Sequence, residues 1–448
     1  MQYMRNVDLK MVRDPAVLAQ PMTLLTADIE SRGAVTGSGA HILIDHDGNN
    51  ALASLRFKLR GARMLAAEAD FSAGGRDYAA GTFILPSADR ATVERVVAEL
   101  GLSAQAVDSL PSVATHPLTV PRIAVMHSWQ RTQDDGWWRV AFDHYGIPFD
   151  YVGDIEARKG RLRDRYDVIV YPTAGGTALD AVTGVPKDSG VAIPYQKTAA
   201  TPNLGVLDQA ADIRGGLGVD GLAELRNFVA SGGTLIGDGS TVEALVEYGI
   251  APGVTVTRPP ELYSKGAIMR GVFTDKTSPL TYGYAGSEMP IYFSQAPVLG
   301  LGRSVRALTG NELAQNITPN AVINPVEPLV RDPAAPAVTK GGSPTSAVFV
   351  PGQWSSAVAT AQPPRTIMQF PANADDILLS GLLVGGSALV NRPLMLDVAY
   401  GRGHMVLYAL RPFWRSQTQG SYFLGFNAIL NWDHLDAGAA PKPAAPAP

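Results

Sequence analysis

Along the chain, short apolar runs alternate with stretches whose apolar positions recur every third or fourth residue, a pattern sustained from about residue 41 to residue 430. Runs of four to eight apolar residues bounded by turn formers suit buried strands, and the three-to-four spacing suits helices with one face on a core. His41-Ile-Leu-Ile-Asp45 reads as a strand, Ala51 to Arg60 as a helix, Arg63 to Ala69 and Gly81-Thr-Phe-Ile-Leu-Pro86 as strands. Arg90 to Leu100 is a second helix, and a last strand falls near Ala104-Gln-Ala-Val107. The order is βαββαβ, close to the ferredoxin-like arrangement.

A second series starts at Arg122-Ile-Ala-Val-Met-His127, a strand, followed by the helix Asp135-Gly-Trp-Trp-Arg-Val-Ala-Phe-Asp-His-Tyr-Gly146 with its glycine stop. Strands at Pro148-Phe-Asp-Tyr-Val152 and Tyr166-Asp-Val-Ile-Val-Tyr-Pro172, a helix at Leu222 to Ala230 and a strand at Thr234-Leu-Ile236 continue it. Strands alternating with helices predict an α/β domain with a doubly wound, flavodoxin-like parallel sheet. Residues 254 to about 375 lack helical periodicity and are rich in Pro, Gly, Ser and Thr, which predicts a β-rich or loop-rich insertion. Leu394 to Tyr400, the turn Gly401-Arg-Gly403 and His404 to Leu410 form a hairpin, and Tyr422 to Leu430 a closing helix. The domains expected are therefore a lead-in at 1–38, a small α+β module at 39–110, a linker at 111–121, the larger domain at 122–433 and a disordered Ala/Pro tail at 434–448.

Composition narrows the functional classes. The 448 residues are 46% hydrophobic with a net charge of -4, so no concentrated basic face argues for nucleic acid. No apolar run approaches the ~20 residues of a membrane span. The first twenty residues carry Arg5, Asp8, Lys10, Arg13 and Asp14, and hold no signal-peptide apolar core. The chain has no cysteine, which removes disulfides, thiolate metal sites and cysteine nucleophiles together.

Several motifs invite chemistry. Gly216-Leu-Gly-Val-Asp-Gly221 has dinucleotide-loop spacing, but no strand precedes it, so it reads as a helix start. Asp45-His-Asp-Gly-Asn-Asn50 alternates oxygen ligands but lacks the glycine and glutamate of a calcium loop, so it reads as a turn with Asn49 or Asn50 capping the next helix. The seven histidines show no metal-binding spacing, and no metal site is expected. Gly237-Asp-Gly-Ser-Thr241 lies at a strand-to-helix elbow where Asp238 or Ser240 is positioned as a nucleophile or proton acceptor; the plainer reading is an N-cap by Ser240 or Thr241. Arg411-Pro-Phe-Trp-Arg-Ser-Gln-Thr-Gln-Gly420 offers Arg411 and Arg415 to an anion, or to internal carboxylates as a structural clamp. Trp129, Trp137, Trp138 and Trp414 serve either as a pocket mouth or as core. Open α/β sheets bind ligands at the strand C-terminal ends, so the expected crevice is lined by His127, Trp129, Thr173, Gly175, Gly176, Asp238, Arg411 and Arg415.

Asp135-Gly-Trp-Trp-Arg139, Leu162 to Pro172, Gly218 to Gly233, Ser380-Gly-Leu-Leu383, Gly401-Arg-Gly403 and Arg411 to Thr418 together resemble the C-terminal half of bacterial zinc-carboxypeptidase-like proteins. The resemblance covers most of residues 40 to 433 and includes a class I glutamine amidotransferase-like domain. It implies a separate peptidase domain that carries zinc through H-x-x-E and a later histidine; H-x-x-E is absent from this chain. It also implies a periplasmic or secreted setting. Active amidotransferase-like domains place cysteine on the elbow, where this chain has Gly237-Asp-Gly239, and His-Pro-Glu after the closing strand, where it has Arg411-Pro-Phe413. Nucleophile, base and orienting acid are missing, so glutamine hydrolysis is not expected.

The expectation is a non-catalytic accessory region that binds a peptidase domain or subunit, a small anionic ligand or a peptide, with no cofactor of its own. Its rival is a hydrolase using Asp238 or Ser240 with a histidine brought in from elsewhere. A downstream piece of a split or truncated gene is a third expectation.

Overall fold

The computed structural model describes residues 2–7, 9–27, 32–187, 190–302 and 362–439. Its first sheet is built from β1 (Ala34–Thr36), β2 (His41–Ile44), β3 (Leu65–Ala67), β6 (Phe83–Leu85), β7 (Ser103–Val107) and β8 (Thr115–Pro117), while β4 (Phe71–Ala73) and β5 (Arg76–Tyr78) make a separate hairpin. The strand order is β1-β7-β2-β6-β3-β8. Within it the four strands of the βαββαβ unit lie fourth, first, third, second, all antiparallel to their neighbours. Alternation along β2 explains the burial on both faces. Ile42 and Ile44 pack with Leu55, Phe57, Val93 and Val97 of the two helices, Ala51–Lys58 and Arg90–Leu100, whereas Leu43 joins Tyr78 of the hairpin and Ile84 on the other face.

Two boundaries differ from the sequence reading. The lead-in supplies β1, parallel to β7, and the 111–121 linker supplies β8, paired with β3. Pro117 sits at the sheet edge, where its missing N–H costs no ladder bond, so a proline-bearing segment is strand as well as connector.

The second sheet contains β9 (Ile123–His127), β10 (Asp150–Gly153), β11 (Val168–Tyr171), β12 (Thr234–Asp238), β14 (Tyr263–Phe273), β15 (Glu288–Phe293), β17 (Arg365–Gln369), β18 (Leu378–Val384), β19 (Pro393–Tyr400) and β20 (Gly403–Tyr408); β13 (Val254–Thr257) and β16 (Val298–Leu301) pair apart from it. Its order is β10-β9-β11-β12-β20-β19-β17-β14-β15, with β18 on β14. The five strands β10, β9, β11, β12 and β20 are parallel, and every pairing from β20–β19 outward is antiparallel. β9, β11 and β12 are buried along their whole length, which is why they read as unbroken apolar runs.

The stretch 254–375 is thus no insertion in its described part: β14, β15 and β17 extend the central sheet itself. The eleven-residue β14 contains Ser264, Lys265, Gly266, Arg270 and Gly271, which mask its strand pattern. Residues 303–361 of that stretch lie outside the described residues. The tail boundary also shifts. Leu435 is fully buried, Arg365 donates to the carbonyls of Leu435 and Ala437, and Thr277 donates to that of Gly438. Residues 440–448 of the predicted tail lie outside the described residues.

The closing helix Tyr422–Leu430, buried throughout, joins the two sheets into one core. Asn427 bonds His46 at 3.2 Å and donates to Tyr282 O at 2.8 Å, and the neighbouring Asn431 bonds His116 at 2.9 Å. From β9 the chain moves to β10 on one side and then to β11 on the other, so the topological switch lies at the carboxyl ends of β9 and β11.

Candidate functional site

At the end of β12 the chain turns sharply into the helix Gly239–Glu247. Gly239 takes φ +57°, the left-handed region that glycine enters without penalty. A Cβ built there would lie 2.1 Å from Thr173 Oγ1 and 2.6 and 2.7 Å from the Arg411 guanidinium nitrogens. The elbow is therefore filled from outside by other residues.

Asp238 precedes it, 1% exposed. Its Oδ1 accepts from Thr173 N–H at 3.2 Å and Thr173 Oγ1 at 3.0 Å, its Oδ2 accepts from Trp138 Nε1 at 3.1 Å, and Arg411 Nη1 stands 3.3 Å from Oδ1. Burial pushes its carboxyl above the usual range, and Arg411 partly offsets this. Arg411 also reaches Asp134 at 3.8 Å. The space left among these groups is about 10 Å³, no more than one water. Ser240 Oγ accepts from Gly175 N–H at 3.0 Å, and Thr241 donates to Pro172 O at 2.6 Å. Both hydroxyls are bound to the β11 loop, not to the start of the helix, so the N-cap role read from the sequence is not theirs.

The histidines are committed elsewhere. His41 accepts from Ser87 N–H, His46 bonds Asn427, His116 bonds Glu68 and Asn431, His127 bonds Asp208, His404 bonds Asp397 and His434 bonds Asp433. His144 lies against the Tyr145 ring. Among the described residues no histidine hydrogen-bonds Asp238 or Ser240, and no cluster of three or more metal-ligating side chains forms.

The open cleft lies one strand pair away, over β9 and β10, with a volume of about 380 Å³. His127, at the end of β9, is buried; its Nε2 meets Asp208 Oδ2 at 2.9 Å and its Nδ1 lies 3.3 Å from Ser128 O. Its ring stacks on Tyr151 at 4.2 Å and meets Trp129 edge-on at 4.7 Å. Trp129 in turn packs against Tyr195 at 5.1 Å. The Arg139 guanidinium lies 4.2 Å from the Tyr151 ring centroid. Beneath the cleft are two acids that burial moves toward neutrality: Asp135, bonded by Tyr151 OH at 2.7 Å and pushed up to about 6, and Asp154, pushed up to about 7.

The residues expected to line one crevice are thus divided. His127 and Trp129 face the cleft; Thr173, Asp238 and Arg411 form the filled cluster, with Gly175 beside it under Ser240. Gly176 is exposed beside Asp180, and Arg415 is exposed over the Trp414 ring, which stacks on Tyr292. Trp138 belongs to the filled cluster. The sequence reading missed Arg139, Tyr151, Tyr195 and Asp208 as cleft residues. Arg139 and Tyr151 stand inside predicted elements, and the register of β10, which sets Gly153 against His127, is the signal that would have placed Tyr151 near the site. Tyr195 and Asp208 come from a stretch with no periodicity, closed by the Val185–Arg214 and Tyr195–Ala210 bridges.

These features define a mixed α/β protein whose larger sheet carries five parallel strands continued by antiparallel ones. Among solved structures it is similar to a cytoplasmic protein from Salmonella typhimurium, at 11% identity and TM-score 0.33, over 69% of this chain and 97% of that one. It is similar too to a putative ThuA-like protein from Bacteroides uniformis, at 8% identity and TM-score 0.32, over 70% and 92%. A β-galactosidase from Bacillus circulans matches at 11% identity and TM-score 0.30, over 77% of this chain but 35% of the enzyme. At such identities and scores these likenesses carry no argument about activity. No protein-family model matches the chain, and neither does any curated protein.

Proposed function

We propose that this chain is a non-catalytic accessory region that uses the α/β scaffold to hold a ligand or partner. The observation that carries the reading is the elbow, where a strand-to-helix turn that would present a nucleophile instead has Gly239, with Thr173 and Arg411 in the space a side chain would need. Its neighbours Asp238 and Ser240 are bound to Thr173, Trp138 and Gly175, and no histidine among the described residues reaches them. A serine or carboxylate so held has neither a free direction of attack nor a base to take its proton. On the sequence motifs, the reading extends to the accessory region of a zinc-carboxypeptidase-like protein whose zinc is held by a separate peptidase domain.

The test is turnover by the purified chain of glutamine, of a p-nitrophenyl ester and of a blocked peptide with a free carboxyl end, with and without added zinc. Background rates, unchanged in Ser240→Ala and Asp238→Asn, are expected. Turnover that either substitution abolishes would replace this reading with the hydrolase.

A further inference from the structure

We infer that the cleft over β9 and β10 binds a monoanionic carboxylate carried on a flat or apolar body, with Arg139 as its counter-ion. This deepens the accessory reading and rests on it only in treating the site as one that binds without turnover.

Arg139 projects from the helix Gln133–Tyr145 into the cleft lining and is half-buried. Among the described residues it forms no close ion pair, and its Nε is buried without an acceptor; its contacts are the ring and hydroxyl of Tyr151, and its charge also acts on Asp135. Other arginines near carboxylates are committed: Arg411 to Asp238 and Asp134, Arg122 to Asp167, Arg214 to Asp212. A guanidinium has only donors to offer, and a buried donor left unpaired is destabilising, so whatever completes this site brings acceptor oxygens. Its planar fork matches a carboxylate, and stacking on Tyr151 fixes the plane of that fork.

The neighbours set the ligand's charge. Asp208 already accepts from His127 and from its own following N–H at Gln209, and Asp135 takes the Tyr151 hydroxyl. Asp135 acts on the Arg139 cation and Asp208 lines the same cleft, so a dianion such as phosphate meets more repulsion there than a single carboxylate does. The walls set its body. Trp129 and Tyr195 form an aromatic wedge, with Val206 and Leu207 exposed at the rim, and about 380 Å³ suits a residue or two of peptide size. The anion site therefore lies at Arg139 and not at Arg411, whose surroundings leave about 10 Å³.

Such a carboxylate has two sources, a free amino-acid-sized acid or the carboxyl end of a peptide. Isothermal titration of the full chain with N-acetyl-L-phenylalanine, its amide, the acid and amide of an acetylated Ala-Ala-Phe peptide, and inorganic phosphate separates them. Expected are binding of the acids, at least tenfold weaker binding of both amides, and none of phosphate. A tripeptide acid bound tenfold tighter than the single residue assigns a peptide end; equal affinities assign the small acid. Arg139→Gln should lower acid affinity to that of the amide, Arg139→Lys should keep part of it, and Arg415→Gln, outside the cleft, should change nothing. Equal binding of acid and amide, or no binding of either, overturns the inference, and this comparison needs no variant. Product analysis of the same titrations keeps the two readings apart, because hydrolysis of a probe would overturn the non-catalytic reading while leaving a carboxylate preference intact.

Discussion

Gly239→Ala is the sharpest perturbation of the elbow. The methyl would arrive 2.1 Å from Thr173 Oγ1 and within 2.7 Å of both terminal Arg411 nitrogens, distances no relaxed structure holds. At φ +57° an L-residue pays about 1–2 kcal/mol for its backbone alone. Moving Thr173 Oγ1 aside breaks its 3.0 Å bond to the buried Asp238 carboxyl, and a bond of that kind to a charged group contributes about 1.5–3 kcal/mol. The sum is about 2.5–5 kcal/mol of destabilisation. Thr173→Ala removes the atom in the nearest clash, so in that background Gly239→Ala should cost about 1–2 kcal/mol less, a coupling that a double-mutant cycle reads directly. Urea denaturation with m held common to the four proteins is the assay, since a changed m would signal a third state in a chain of this size. A loss below about 1 kcal/mol for Gly239→Ala would mean that the elbow has room for a side chain. Additivity with Thr173→Ala within about 0.5 kcal/mol would sink the occlusion argument in the same way.

Three further outcomes are expected. Burial raises the Asp154 carboxyl to about 7, so the folded state holds an extra proton between the unfolded carboxyl range near 4 and pH 7; stability falls as pH rises through that window, by up to about 4 kcal/mol, and Asp154→Asn should flatten the urea-midpoint profile there. His404 is pulled down by burial but raised overall, to about 9, by Asp397 at 2.7 Å; its contribution is complete below about pH 6.5 and lost as pH rises through 9, a slope that Asp397→Asn should remove without touching the lower window. Trp138→Phe keeps an aromatic ring but removes the indole N–H from Asp238 Oδ2 together with some packed volume, and a loss of at least about 1–3 kcal/mol is expected; no loss in a thermal or urea melt would show that this bond holds nothing.

How far the fold could be read depended on how completely each element is buried. β9, β11 and β12 are covered on both faces, so their apolar runs announced them, and the helices Arg90–Leu100 and Gln133–Tyr145 carried their glycine stops at Gly101 and Gly146, both left-handed. β14 was illegible because, although paired on both sides, it is partly exposed at its start and carries Lys265, Gly266 and Arg270, and composition alone turned it into an insertion. β1 and β8 are three-residue edge strands whose pairing is decided by the partners β7 and β3 rather than by their own residues.

The site was legible on the strands and illegible in the loop. Chain order places His127 at the end of β9 beside the topological switch, and that much follows from the alternation of elements. Arg411 and Asp238 were equally easy to find, as charges next to strand ends, and the same position explains why they mislead: deep in the sheet, opposite charges reach each other and leave no room for a third party. Whether a charge is available to a ligand depends on its partners, which no spacing reveals. Arg139 lies on a well-predicted helix, four residues beyond Asp135, and would be expected to pair along it; instead Asp135 is turned to the Tyr151 hydroxyl and Arg139 to the Tyr151 ring. That local choice leaves a half-buried cation without a close ion pair among the described residues, in a cleft whose outer wall, Tyr195 and Asp208, is supplied by a segment with no periodic signal at all.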